Sequence, residues 1–218
     1  MKLIALCGKK RVGKDTAALI IDGHSYQLAA PIKEILCECQ PDLGLTYLDF
    51  DGLGRDREAD LGIDTYTAHK WFIQCLLMLD SKYGGSSFTC DRLAEIYKVV
   101  NEIGEKHNNV WSIRLMLTTL GTDIMVNLIN PLYWCNLFVN EFMKRKNEEG
   151  YFVVVDVRQP IEIALMRTMG AKVLHIQRDT GIISTHSTEK GILPIDGETI
   201  IINNGTLEEF ESAILANI

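Results

Sequence analysis

No run of apolar residues in this chain approaches the ~20 needed to span a bilayer. The apolar stretch ahead of Gly8 is too short for the core of a signal peptide. Basic residues are in deficit, 22 Lys and Arg against 29 Asp and Glu, for a formal charge of −7, which argues against a surface that coats nucleic acid. Proline is scarce, at 5 of 218 residues, there is no low-complexity tract, linker or internal repeat, and the composition sits on the soluble globular average, which argues against disorder, collagen and coiled coil. The six cysteines (7, 37, 39, 75, 90 and 135) have no zinc-type spacing, so buried, reduced thiols are expected. What remains is one cytosolic domain, long enough to bury roughly 70% of its unfolded surface.

Local patterns divide the chain into thirds. Residues 3–7 form an apolar run that stops at Gly8, as a buried strand does, and an apolar helical stretch follows at 17–21. A short strand is expected at 27–30, and Pro31 suits the first turn of a helix running to about 39. Residues 40–64 are irregular, with the charged run GRDREAD. Helical periodicity covers 67–79, 91–105, 111–120 and 133–145, with a loop at 80–87 and breaks at Gly121 and at Asn130-Pro131. The last third returns to strands at 151–155, 172–177 and 199–202, alternating with helices at 160–169 and 207–216. Such alternation predicts an α/β fold with a central parallel sheet and helices on both faces. The expected organisation is a core of about 1–39 and 150–218 with a helical insertion of about 40–149.

GKKRVGK at 8–14 fits G-x-x-x-x-G-K and lies between the predicted strand and helix, as a phosphate-binding loop requires. Glycines let successive N–H groups converge on phosphate oxygens, and the helix start adds its positive dipole end. Gly8, Arg11, Val12, Gly13, Lys14, Asp15 and Thr16 are therefore candidates for binding nucleotide phosphates. The residue after the lysine is ordinarily Ser or Thr, holding Mg²⁺; here it is Asp15, with Thr16 next. Either can serve the metal. The motif does not distinguish a kinase from a hydrolase.

Other landmarks follow in order: QLAAPIK at 27–33, WSIR at 111–114, TLGTD at 119–123, LYW at 132–134, VVVDVR at 153–158, RTMGAKVLHIQR at 167–178, THSTEKG at 185–191 and IIINNGTLEEF at 200–210. This ordered set closely resembles the deoxynucleoside monophosphate kinases of tailed bacteriophages, with gaps at about 40–70 and 80–105. The resemblance implies a P-loop NTPase-type three-layer fold whose helical insertion binds substrate and acts as a lid. It also implies transfer of the ATP γ-phosphoryl group to a dNMP, giving dNDP and ADP. ATP and Mg²⁺ are the cofactors implied. The expected partners are small molecules, with no nucleic acid or membrane and a homodimer allowed. The compartment would be the cytoplasm of a phage-infected bacterium.

Phosphoryl transfer needs in-line positioning and positive charge around the transferring group. Lys14, Arg114 and Arg158 are the catalytic candidates. Asp156, after the apolar run 151–155, would act on the metal beside Asp15 and Thr16, or else cap the helix that follows. Arg158 would reach a substrate phosphate, or form a surface ion pair. By resemblance Arg114 would hold the dNMP phosphate or the transferring group, the alternative being a solvated helix arginine. Lys33 would meet the monophosphate unless it is simply solvated. Asp123 is a substrate contact or a helix cap, and Trp134 stacks on the base or packs in a core. Arg178 would cover the ATP phosphates ahead of a loop of about 18 residues suited to a lid. Asn204 would border adenine. His186 and Glu189 form a T-H-x-x-E pattern with no role attached. A kinase of another phosphorylated metabolite, of the dephospho-coenzyme A or phosphomevalonate type, and a non-catalytic ATP-binding switch are the rival functions.

Overall fold

A computed structural model describes residues 1–9, 11–84, 90–179 and 192–218. The chain divides into two compact units, one of residues 1–28 and 138–218, the other of residues 29–137.

The first unit is built on a five-stranded sheet in the order β2-β3-β1-β4-β5, every pairing parallel. Its strands are β1 (Lys2–Cys7), β2 (His24–Tyr26), β3 (Tyr151–Val157), β4 (Lys172–Gln177) and β5 (Thr199–Ile202). Central β1 is apolar from Leu3 to Cys7 because both its faces are covered there. Ile4 and Leu6 pack with Ala17, Ala18 and Ile21 of α1 (Lys14–Ile21) and with Phe210 and Ile214 of α9 (Leu207–Leu215). Leu3, Ala5 and Cys7 face the other way. They pack with Ile163 and Met166 of α8 (Pro160–Thr168) and with Phe138 of α7 (Tyr133–Arg145). The period-2 alternation of one strand thus supplies the inner faces of two helical layers.

Strand order reverses at β1, which has β3 on one side and β4 on the other. In open α/β sheets, the crevice beyond the carboxyl ends of the strands at such a switch point is where ligands bind. The glycine loop leaves β1 there.

Strand β2 lies at His24–Tyr26 instead of 27–30. Its ladder cannot run on, because the Leu28 N–H is taken by the Asp156 carboxylate at 2.7 Å.

The second unit is helical: α2 (Ala30–Glu38), α3 (Tyr47–Asp51), α4 (Thr65–Tyr83), α5 (Cys90–Lys106), α6 (Ile113–Thr118), a π-helix (Thr119–Ile129) and the first turn of α7. Its core gathers Ile35, Leu36, Phe50, Trp71, Phe72, Leu76, Trp111, Met116 and Ile124. Asp64 and Ser112 cap α4 and α6, accepting from the N–H groups of Thr67 and Leu115. The irregular stretch 40–64 holds α3, started by a Thr46–Asp49 capping box. Two breaks expected from the sequence lie elsewhere. Helix α4 continues to Tyr83, where the Gly84 N–H closes it on Asp80. Gly121 interrupts nothing, because it sits within the π-helix, buried against Ile32. Among the described residues, no helix is long and apolar enough to cross a membrane.

Candidate functional site

The loop between β1 and α1 has the backbone shape its sequence demands. Gly8 has φ 153°, and a Cβ there would run into the Ile176 carbonyl and approach Val12 Cγ2 to 2.8 Å. Gly13 has φ 104°, and its Cβ would lie 2.5 Å from Asn203 Nδ2. Only glycine meets both conditions. Arg11 also adopts the left-handed region, at φ 65°, an unusual state for a side-chain-bearing residue. Lys10 lies outside the described residues.

Lys14 is buried, and its Nζ donates to the carbonyl oxygens of Gly8 and Lys9, each at 2.8 Å. Burial holds its ammonium below the ordinary lysine range, and the positive charge of Arg158 adds to that effect. The carboxylates of Asp15 and Asp156 oppose it. Lys14, Asp15, Asp156 and Arg158 therefore share one electrostatic neighbourhood at the carboxyl edge of the sheet.

Asp156 is within β3 and does not cap α8; its Oδ1 accepts from Leu28 N. The cap is Gln159, whose N–H, like that of Arg158, donates to Glu162 Oε2 at 2.8 Å. Burial pushes the Glu162 carboxyl up from its ordinary range. The Arg158 backbone is thus fixed while its side chain stays exposed.

A cavity of about 440 Å³ opens beside the loop, lined by Arg11, Gly13, Asp15, Thr16 and Arg178 and by Asn203, Gly205, Leu207 and Phe210. Its two cations suit an anion, while Leu207 and Phe210 give it an apolar side. Asn204 lies at the same strand edge, its Oδ1 accepting from Asp179 N at 3.0 Å and joining the exits of β4 and β5.

Asn203 is a residue that sequence reasoning missed. It is buried, and its Nδ2 donates to the Val12 carbonyl at 2.8 Å while its own N–H donates to Gln177 at 2.7 Å. It ties the end of β5 to the glycine loop. The available signal was a polar residue ending an apolar strand, the same signal that singled out Asp156.

The donors near the loop (Asp15, Thr16 and Asp156) are all hard oxygens, which fit Mg²⁺. Among the described residues no group of three or more His, Cys, Asp or Glu is gathered for a metal. One or two protein oxygens with phosphate and water completing the shell is the ordinary division for Mg²⁺.

The other candidates belong to the helical unit. Lys33 pairs with Asp51 at 2.6 Å, largely shielded from solvent. Arg114 is half-exposed and pairs through Nε with Glu58; its backbone N–H donates to the Arg57 carbonyl at 2.9 Å. Asp123 lies on the π-helix, where burial raises its carboxyl above the ordinary range. Trp134 is buried, its indole N–H donating to the Gly121 carbonyl at 2.9 Å and its ring edge-on to Tyr133 at 5.1 Å. The greater part of the expected lid after Arg178, with His186 and Glu189, lies outside the described residues.

Comparison with known proteins matches the chain to a family along nearly its whole length. The deoxynucleotide monophosphate kinase family profile matches residues 2–214. A deoxynucleotide monophosphate kinase of Escherichia phage RB69 is 36% identical, the alignment covering 98% of this chain and 98% of the relative. The deoxynucleotide monophosphate kinase of Enterobacteria phage T4 is 34% identical over 98% of this chain and 97% of its own length.

Proposed function

The chain belongs to the deoxynucleotide monophosphate kinase family, and on that footing we propose that it transfers the γ-phosphoryl group of ATP to a deoxynucleoside monophosphate, giving the diphosphate and ADP. The observation that carries this reading is the glycine loop at the carboxyl end of β1. Its lysine is buried among loop carbonyls, and two arginines line the cavity beside it.

In this reading the loop N–H groups and the start of α1 hold the β- and γ-phosphates. Lys14 exchanges its carbonyl partners for phosphate oxygens. That exchange is favoured because an ammonium already stripped of water gains more from an anion than a hydrated one does. Arg11 and Arg178 hold the phosphates from the cavity side, and Leu207, Phe210 and Asn204 border the ATP base. Arg158 neutralises charge on the transferring group. Mg²⁺, held by Thr16 or Asp15 and by Asp156, would offset charge on the β- and γ-oxygens. Arg114, Lys33, Asp123 and Trp134 are assigned to the acceptor nucleotide. The matching compartment is the cytoplasm of a phage-infected bacterium, where ATP and dNMPs are both present.

The test is a coupled ADP-release assay with ATP and Mg²⁺, run separately with each of the four dNMPs and four NMPs. ADP formation that depends on at least one dNMP is expected. Release at the same rate with no acceptor, or with no dNMP accepted, would overturn the reading.

A further inference from the structure

The helical unit contains a pair of sulfurs that the proposed reaction does not use. Cys39 is the C-cap of α2, and its backbone N–H donates to the Ile35 carbonyl at 3.0 Å. The Cys75 thiol, on α4, approaches the same oxygen at 3.8 Å. One carbonyl therefore gathers both residues, and Cys75 is the neighbour that bears most on the Cys39 thiol. Cys75 is fully enclosed, and Cys39 retains 7% exposure.

We propose that Cys39 and Cys75 are a redox modification site, closing a reversible intrachain disulfide between the end of α2 and the middle of α4. A disulfide demands sulfurs already in contact on backbones that need not move. The shared Ile35 carbonyl brings the Cys39 backbone and the Cys75 sulfur to one point in the reduced protein.

The two thiols are unequal in a way that orders the chemistry. The hydrogen bond from Cys75 holds the Cys39 thiol below the usual range despite burial. Burial drives the Cys75 thiol well above it. Cys39 is thus both the more ionised and the more accessible sulfur, as the first nucleophile must be. Elsewhere, burial and the charge of Glu198 push the Cys7 thiol up to about 12, and burial also raises Cys37.

With the azo oxidant diamide, the Cys39 thiolate adds to one nitrogen of N=N. The Cys75 sulfur then attacks the Cys39 sulfur and breaks the new S–N bond. One S–S bond forms, and two S–H bonds are lost. Two electrons and two protons reduce N=N to HN–NH. Glutathione disulfide reaches the same product by exchange, leaving as two glutathione thiols.

The experiment treats the reduced, folded full-length chain with diamide and quenches by alkylation in denaturant. Peptides are then mapped by mass spectrometry without reductant. A Cys39–Cys75 bridge is expected, reopened by dithiothreitol. It should persist in Cys7→Ser, Cys37→Ser and Cys135→Ser and vanish in Cys39→Ser and Cys75→Ser. The wild-type map decides the matter even if a serine variant fails to fold. Alkylation of both cysteines in the treated native chain overturns the proposal. So does a bridge to any other sulfur, or one that forms only after urea unfolding.

Discussion

The two units meet the polar groups of the candidate site in different ways. In the sheet unit those groups bond to the backbone. Lys14 is bonded to two loop carbonyls, Asp156 to the Leu28 N–H and Asn203 to the Val12 carbonyl. In the helical unit the candidate cations are met by other side chains, Lys33 by Asp51 and Arg114 by Glu58. A backbone contact fixes a residue's place relative to a sheet edge. An ion pair between side chains can exchange one anion for another, and a substrate phosphate is such an alternative anion. On the proposed function, the sheet unit would offer a preformed binding surface, and the helical unit cations that must change partners to act.

That contrast is tested most severely at Lys14. Lys14→Met keeps the length and apolar stem of the side chain but removes the ammonium. A loss of about 10³-fold in kcat is expected, the upper end for removing one positioned donor. The melting temperature should hold or rise, because a desolvated charge is removed with it. A variant that kept its kcat would place the catalytic charge elsewhere and dissolve the distinction between the units.

A smaller effect is expected where the sheet unit is held by a buried ion network. Glu198 accepts from Arg167 at 2.7 and 2.9 Å and from the Ile195 N–H at 3.0 Å, and it meets His175 at 2.8 Å. These partners, Arg167 foremost, bring its carboxyl down from 4.5 to about 2. A depressed carboxylate adds stability that is complete above the unfolded value and is lost as pH falls through the folded one. Stability against denaturant should thus fall progressively from pH 4.5 toward 2. Glu198→Gln should cost about 2 kcal/mol at neutral pH, the scale of a hydrogen bond to a charged group. The variant should also flatten that acid dependence. An equally steep profile in the variant would assign the acid sensitivity to other carboxylates.

The sheet unit was also the more readable from sequence, and for the same reason. A glycine loop, an apolar strand and a helix start are local demands of the backbone, so GKKRVGKDT announces its own shape, as does the β-branched run of β3. The helical unit obeys longer-range demands. Gly121 looks like a helix break, but its missing side chain makes room for Ile32, and its carbonyl receives the Trp134 indole. Trp134 suits a nucleotide base by type, yet a tryptophan's burial is decided by its neighbours along the folded chain. Asn203 and Asn204 are indistinguishable by type, and only the way the strand turns them sends Asn203 inward to the Val12 carbonyl. The paired sulfurs of Cys39 and Cys75 lie 36 positions apart, and no spacing rule joins them.

Arg114 gives the smallest expected effect and the sharpest distinction. Its partner Glu58 is exposed, with 62% of its side-chain surface open to solvent against 48% for Arg114. Pairs in such positions contribute little to folding, because water screens the attraction and side-chain freedom is lost in making it. Arg114→Ala should therefore change unfolding stability by no more than about 0.5 kcal/mol. If the guanidinium leaves Glu58 for the acceptor phosphate, the same substitution should raise KM for the dNMP about tenfold, the worth of one charge-assisted contact. KM for ATP should stay unchanged. Glu58→Gln supplies the opposite arm, since it frees Arg114 from competition and should lower the dNMP KM. An unchanged KM in both variants would make the pair a surface feature and leave the acceptor phosphate to Lys33.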